Sequence, residues 1–494
     1  MRKKDMKRKT GLLGVSLLFC GMAVMAQSQE QYRNADPKEL IKRTDLTEQQ
    51  LSDIQRYYQF SLKDIKKGEE LQQLLLQKYP KGEAARLVAY HKVTATKTLA
   101  DLTAASESFL KAFPYEEWKK APNRQEFIYY SVHRGLGTAY MDTRQFDKLV
   151  TFCTPLNFKT ENEIYRWNVM RAFVFKTVGY DTLSRISTPV INELIKKVGD
   201  RSYEEAGVFN REQAAANASE QLDNQLGTHI SLLYARKQYA AAKDYFRYLS
   251  AKGAYANADL NSIHLSIMQQ TGDQQAMLPF LENCTKANAM TAGMMDTLKT
   301  LFTANNKTPG AFDSYLASLK SGKDKDELEA TVKSHMTHQE YVPFALEDAD
   351  GNTVRSSEWG DKIVVLDFWA TWCKPCISAF PGMQMLVDKY AADPQVAVYM
   401  VGTMQNGDYK AKSVGYVKKE GFRFHLLHDA VNKKTGEQDA VFKTFVPFFQ
   451  SSAIPRKVIL KDGVMRYTAE GYSGSPSKLA DELSYAIELL KAEK

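Results

Sequence analysis

Ile363-Val364-Val365-Leu366-Asp367-Phe368-Trp369-Ala370-Thr371-Trp372-Cys373-Lys374-Pro375-Cys376 runs an apolar segment directly into two cysteines three positions apart. The apolar part reads as a buried strand, and the cysteines fall where the chain leaves it to begin a helix. A cysteine at a helix N-terminus has its thiolate favoured by unpaired backbone N–H groups and by the helix dipole. Its partner three residues on lies within disulfide reach. The chemistry expected is thiol–disulfide exchange. A metal is not expected, because tetrahedral zinc takes four ligands and the chain has no second cysteine pair. His425 and His428, three apart on a short strand, point to opposite faces and make no metal pair.

Around this segment strands and helices alternate. Upstream, Phe344 to Val354 reads as a hairpin turning at Asp350-Gly351. Downstream follow a helix to about Tyr390, a strand Val396 to Val401, a helix around Ala411 to Glu420 and a short strand from Phe422 to Leu427. A helix near Gln438 to Phe445, strands Lys457 to Leu460 and Val464 to Ala469, and a helix Ser477 to Lys491 complete the pattern. This is an α/β domain over residues 341–494.

Residues 27–320 have a different texture, rich in Leu, Ala, Gln, Lys and Tyr, with apolar residues at spacings of three and four. They predict an all-α domain of helical hairpins. Gly137 to Phe146 and Leu232 to Ala242 each place aromatics on both sides of a polar turn, Tyr140 with Phe146 and Tyr234 with Tyr239. Both resemble tetratricopeptide repeats, without a steady 34-residue period; another all-helical bundle is the alternative. Residues 321–340 are expected to be a linker, with a short helical piece from Glu327 to His335.

The N-terminus reads as a secretory signal, residues 1–26, with six basic side chains and one acid ahead of the apolar stretch Gly11 to Ala26 and cleavage after Ala26. Cys20 suggests lipid attachment, but Leu17-Leu18-Phe19 lacks the small residue that processing requires. A stretch of 16 residues is also shorter than the ~20 needed to span a membrane. The whole chain carries 66 basic and 58 acidic residues; without the signal the net charge falls from +8 to +3. Nucleic acid is therefore not an expected partner. An address in the periplasm or cell envelope is oxidising, so a reducing dithiol there needs imported electrons. Cys153 and Cys284 stand alone in helical sequence and read as buried small hydrophobes.

The run Val364 to Cys376 resembles the thioredoxin family, and residues Val342 to Lys494 are similar to the exported TlpA/ResA branch of thiol–disulfide oxidoreductases. The resemblance implies that Cys373 is the exposed nucleophile and Cys376 the resolving cysteine. It implies that Asp367 is the buried acid that manages the resolving thiol's proton, and that Pro381 kinks the active-site helix. Ile454 and Pro455 match the isoleucine and cis-proline that, with Trp372, dock substrate. Lys374 and Pro375, between the cysteines, tune the dithiol. No cofactor beyond the redox-active disulfide is implied; the partners implied are disulfide-bonded protein clients and a membrane thiol electron donor. The chain departs from the branch at Ala379, where a glutamate is common, and at Asp367, where asparagine is common. Both departures weigh against a dedicated role in haem-protein maturation.

Two other functions compete with an exported protein disulfide reductase. One is a helical-repeat binding or scaffold protein with an accessory redox domain. The other is a thiol peroxidase, whose pattern wants proline and threonine where this chain has Leu366 and Ala370.

Overall fold

The computed structural model describes residues 29–118, 126–204, 209–305, 311–320, 322–449 and 451–493. The expected signal segment and Cys20 lie outside them. Among the described residues no helix is long and apolar enough to cross a membrane. Packing divides the chain into two compact units, one up to Ala215 and one from Ala216 onward.

The first unit is helical throughout its described residues. Some of its helices start on side-chain caps: Thr47 forms a reciprocal box with Gln50, and Asn157 accepts from the Thr160 N–H. Leu51, Ile54, Tyr58, Leu71 and Leu75 form one core, and Phe109, Ile128, Tyr129 and Val132 another.

The helical hairpins of both units end alike. Arg144, Lys237, Gly272 and Asn288 all adopt left-handed φ, between 50° and 78°. The next N–H then reaches back five residues, from Gln145 to Tyr140, Gln238 to Leu233, Asp273 to Met268 and Ala289 to Cys284, at 2.8–3.0 Å. This closure satisfies carbonyls that the helix end leaves free. The aromatic pairing expected across the turn holds for Tyr234 and Tyr239, whose rings are 5.7 Å apart. Tyr140 instead meets Phe152, further along the next helix, at 5.6 Å.

The second unit adds a mixed eight-stranded sheet to its helices. The strands are β1 (Met336–Glu340), β2 (Ala345–Asp348), β3 (Thr353–Arg355), β4 (Ile363–Trp369), β5 (Val396–Gly402), β6 (His425–His428), β7 (Arg456–Lys461) and β8 (Val464–Glu470). Their order is β1-β8-β7-β4-β5-β6-β2-β3, with β4, β5 and β6 parallel and the other pairs antiparallel. Helices α1 (Gly322–His335), α2 (Lys374–Tyr390), α3 (Tyr409–Glu420), α4 (Phe442–Phe445) and α5 (Pro476–Ala492) accompany them.

Every residue of β4 is buried because both sheet faces are covered. Ile363, Val365 and Trp369 face a core built on α2 and α5, while Val364, Leu366 and Phe368 face Phe442 and Phe445.

Two segments differ from the sequence reading. Residues 321–340, expected as a linker with a helical piece from Glu327 to His335, carry that helix from Gly322 onward as α1 and, unforeseen, the edge strand β1, which pairs with β8. Only Leu328 and Val332 mark α1 as packed, and Met336-Thr-His-Gln-Glu340 has no apolar alternation to announce a strand. The helix expected from Gln438 begins only at Phe442. Gln438 is held elsewhere: its side chain bonds Gly402 O and the Gln405 N–H, and its carbonyl accepts from the Met404 N–H.

Within this unit the turn between helices Gln274–Lys286 and Ala292–Asn305 docks on the start of α5. Ser477 exchanges hydrogen bonds with Met290, Ser475 Oγ donates to Asn288 O, and Asn288 Nδ2 donates to Asp481 at 3.0 Å. Lys320 pairs with the same Asp481.

Candidate functional site: a dithiol at the tip of the central strand

β4 delivers Cys373 to the N-cap of α2, where, paired in the disulfide, it is 4% exposed and not the exposed residue expected. Cys373 and Cys376 are joined as a disulfide, their Cα atoms 5.3 Å apart. The Cys376 N–H points at Cys373 Sγ, 3.3 Å away, as an N-terminal N–H meets a capping side chain. Pro375 stands in the first turn, where a missing N–H costs nothing. Lys374 is exposed beside it, and Pro381 stands inside the helix. Ala379, where the related branch often has an acid, is fully buried in the core beneath the dithiol.

Across from the cysteines, the Ile454-Pro455 peptide is cis. Cys373 Sγ lies 3.7 Å from the Ile454 carbonyl oxygen. The Pro455 carbonyl accepts from the Gly471 N–H at 2.9 Å, so the loop after β8 borders the same rim. Trp372 projects from this rim, 58% exposed, with its indole N–H anchored on Met404 O at 2.8 Å.

Asp367 shares its face of β4 with Val365 and Trp369, side chains of the core that also buries Cys376. It is wholly buried, and neither carboxylate oxygen accepts a hydrogen bond from a protein group. Burial pushes its pKa up to about 6 against a smaller opposing pull from Lys457. Lys457 sits directly opposite on β7, its Nζ 3.4 Å from Oδ1. Burial in turn lowers the Lys457 pKa, and its ammonium also donates to Gly471 O at 3.3 Å.

Sequence reasoning missed Lys457. The signal was present, because two-residue alternation from Ile459 in the core places Lys457 on the covered face. It also missed Gln405, whose Oε1 accepts from the Thr371 N–H while its own N–H donates to Gln438. Met404 beside it holds a left-handed φ of 54°. Nothing in a local pattern pairs Gln405 with Thr371, 34 residues away.

A dithiol at a helix N-cap on the central strand, faced by a cis-proline and backed by a buried carboxylate, accompanies a match of residues 337–468 to the AhpC/TSA family. The C-terminal region is a thioredoxin-like domain of that family. Among curated relatives, the thiol-disulfide oxidoreductase ResA of Bacillus subtilis (strain 168) is 33% identical over 86 residues, 17% of this chain and 46% of that protein. ResA of Oceanobacillus iheyensis is 33% identical over 97 residues, 20% of this chain and 46% of that protein. The chain therefore spans somewhat less than half the length of these relatives. A solved thiol:disulfide interchange protein of the thioredoxin family from Chlorobium tepidum TLS is 17% identical, covering 31% of this chain and 97% of its own, with a TM-score of 0.26.

Among the described residues, two further cysteines lie outside the region of the family match. Cys153 and Cys284 are buried and unpaired. Burial raises both thiol pKa values, that of Cys284 to about 12, which disfavours the reactive thiolate.

Proposed function

We propose that the protein is an exported protein disulfide reductase acting through the Cys373–Cys376 dithiol. The observation that carries this reading is the position of Cys373 Sγ, 3.7 Å from the Ile454 carbonyl at a rim where Trp372 stands exposed. An extended client strand can pair with that backbone while it presents its disulfide to the sulfur.

In the reduced protein the Cys373 thiolate, favoured by the start of α2, attacks one sulfur of a client disulfide. One client thiolate leaves, and a mixed disulfide joins Cys373 to the client. Cys376 then gives up its proton and attacks Cys373 Sγ, releasing the second client thiolate and closing the Cys373–Cys376 disulfide. Two electrons pass to the client, whose thiolates take up protons. Asp367 serves as the proton acceptor for Cys376: its raised pKa lies near neutrality, where a carboxylate exchanges protons most effectively.

The oxidised dithiol must be re-reduced by a second dithiol. With an export signal at residues 1–26, the compartment is the periplasm or cell envelope and the donor a membrane thiol carrier.

Insulin reduction tests the assignment. The full chain should turn insulin over, Cys373→Ser should abolish activity, and Cys376→Ala should accumulate thiol-sensitive client adducts in vivo. Turnover that survives Cys373→Ser, or a Cys376→Ala variant that traps nothing, would sink the reductase reading.

A further inference from the structure

The helical unit that ends at Ala215 carries a built feature that the dithiol chemistry does not use. A cleft of about 670 Å³ opens between the end of helix Glu126–Asp142 and the segment Tyr165–Phe175. Arg144, Trp167, Asn168, Arg171 and Phe175 line it, with Asp142 the carboxylate among the lining residues. Residues Tyr165–Met170 wind as a π-helix, a wider turn that recurs at functional sites. Trp167 stands on that turn.

Three guanidinium groups surround the Trp167 ring: Arg166 at 5.0 Å from its centroid, and Arg134 and Arg171 at 5.7 Å. The ladder extends at both ends, Arg134 lying 6.0 Å from Tyr130 and Arg171 5.8 Å from Phe175. Glu163 fixes the indole through its N–H at 2.5 Å and grips Arg166 with two bonds of 2.8 and 2.9 Å. Its charge is matched there. Among the described residues no carboxylate stands within ion-pair distance of Arg134 or Arg171.

Like charges gathered around one indole repel, and a ligand anion relieves that repulsion while the rings offer apolar area. Within the cleft Trp167 is 38% exposed and Phe175 56%, and Val174, outside its lining, adds a further exposed apolar side chain at 49%. A chain that continues beyond the pocket covers this surface better than a compact metabolite does.

We propose that this cleft, with Arg134 beside the Trp167 ring outside its lining, binds an extended acidic polypeptide segment, placing one carboxylate on Arg171 in the cleft, another on Arg134, and an aromatic or aliphatic side chain against Trp167 and Phe175. The inference deepens the reductase reading and rests on it for the nature of the chain bound, a segment of a disulfide-bearing client.

The test is fluorescence anisotropy with the full chain carrying Cys373→Ser and Cys376→Ser, so that no covalent capture contributes. The probe is fluorescein-labelled Gly-Glu-Phe-Glu-Leu-Asp-Gly, compared with the same peptide bearing lysine at the three acidic positions. The acidic probe should bind at least about tenfold tighter than its lysine analogue, and less tightly as salt rises. Arg134→Ala with Arg171→Ala should weaken it by about tenfold or more, with an unchanged circular dichroism spectrum. Equal binding of the two probes, or an unchanged affinity in the double variant, overturns the proposal. So does displacement of the acidic probe by free phenylacetate at the probe's own concentration.

Insulin reduction is measured separately on the unmodified chain with its cysteines intact. Acidic-probe binding without insulin turnover would remove the reductase reading and leave the cleft standing. Turnover without selective binding would do the reverse.

Discussion

At the scale of the residue, the pair Asp367 and Lys457 decides how the site handles protons. Burial raises the Asp367 pKa from 3.8 to about 6, so the folded protein holds this proton more tightly than the unfolded chain does. Stability from this group is full below about pH 4 and is lost as pH rises through 6, by about 3 kcal/mol at most. Asp367→Asn should flatten that fall in urea midpoints measured from pH 4 to 7, and slow insulin reduction by about ten- to a hundredfold. Lys457 shifts the other way, its folded-state pKa lowered, so its contribution grows as pH rises in the alkaline range. Lys457→Met removes the cation beside Asp367 and should move the acid limb of the pH–rate profile up by about one unit. An unmoved limb would mean that Lys457 only fills space.

At the scale of the element, the site depends on α2 lying tightly against α5. Gly382 permits the approach, since a Cβ there would meet Pro476 O at 2.8 Å and Pro476 Cα at 3.1 Å. Those are backbone atoms and cannot rotate aside. Gly382→Ala should cost about 2 kcal/mol, read from the urea midpoint, with the Cys373–Cys376 disulfide still formed. α2 itself was legible, because a strand, a cysteine pair and an apolar helix follow one another in a local pattern. β1 was not, and α1 only over its second part, Glu327 to His335, because their hold comes from Val332 in a distant core and from a ladder to β8, with little apolar periodicity of their own. The helix expected at Gln438 failed for a related reason: a glutamine that reads as helical locally is tied to Gly402 and Gln405 across the sheet.

At the scale of the molecule, the thioredoxin-like domain does not end where its family match begins. Val332 is wholly buried in its core, and Asn288, Met290 and Lys320 bond the start of α5. A chain starting at Ala216 should therefore unfold in one transition and exceed a chain starting at Met336 by about 3 kcal/mol or more. Equal urea midpoints would show that the helical segment adds no stability to the sheet. The sequence by itself determined the dithiol, the strand that presents it, the acid six residues earlier and the all-helical character of the first two thirds. Each is written in neighbouring residues or a short period, because local burial and backbone preference act over a few positions. Only the tertiary structure decided that Lys457 faces Asp367, that Gln405 and Met404 hold Thr371 and Trp372, and that Arg134 joins the local Arg166 and Arg171 around Trp167. Those pairings join side chains brought together by strand register and helix packing, and no local periodicity encodes which distant partner a buried polar group will meet.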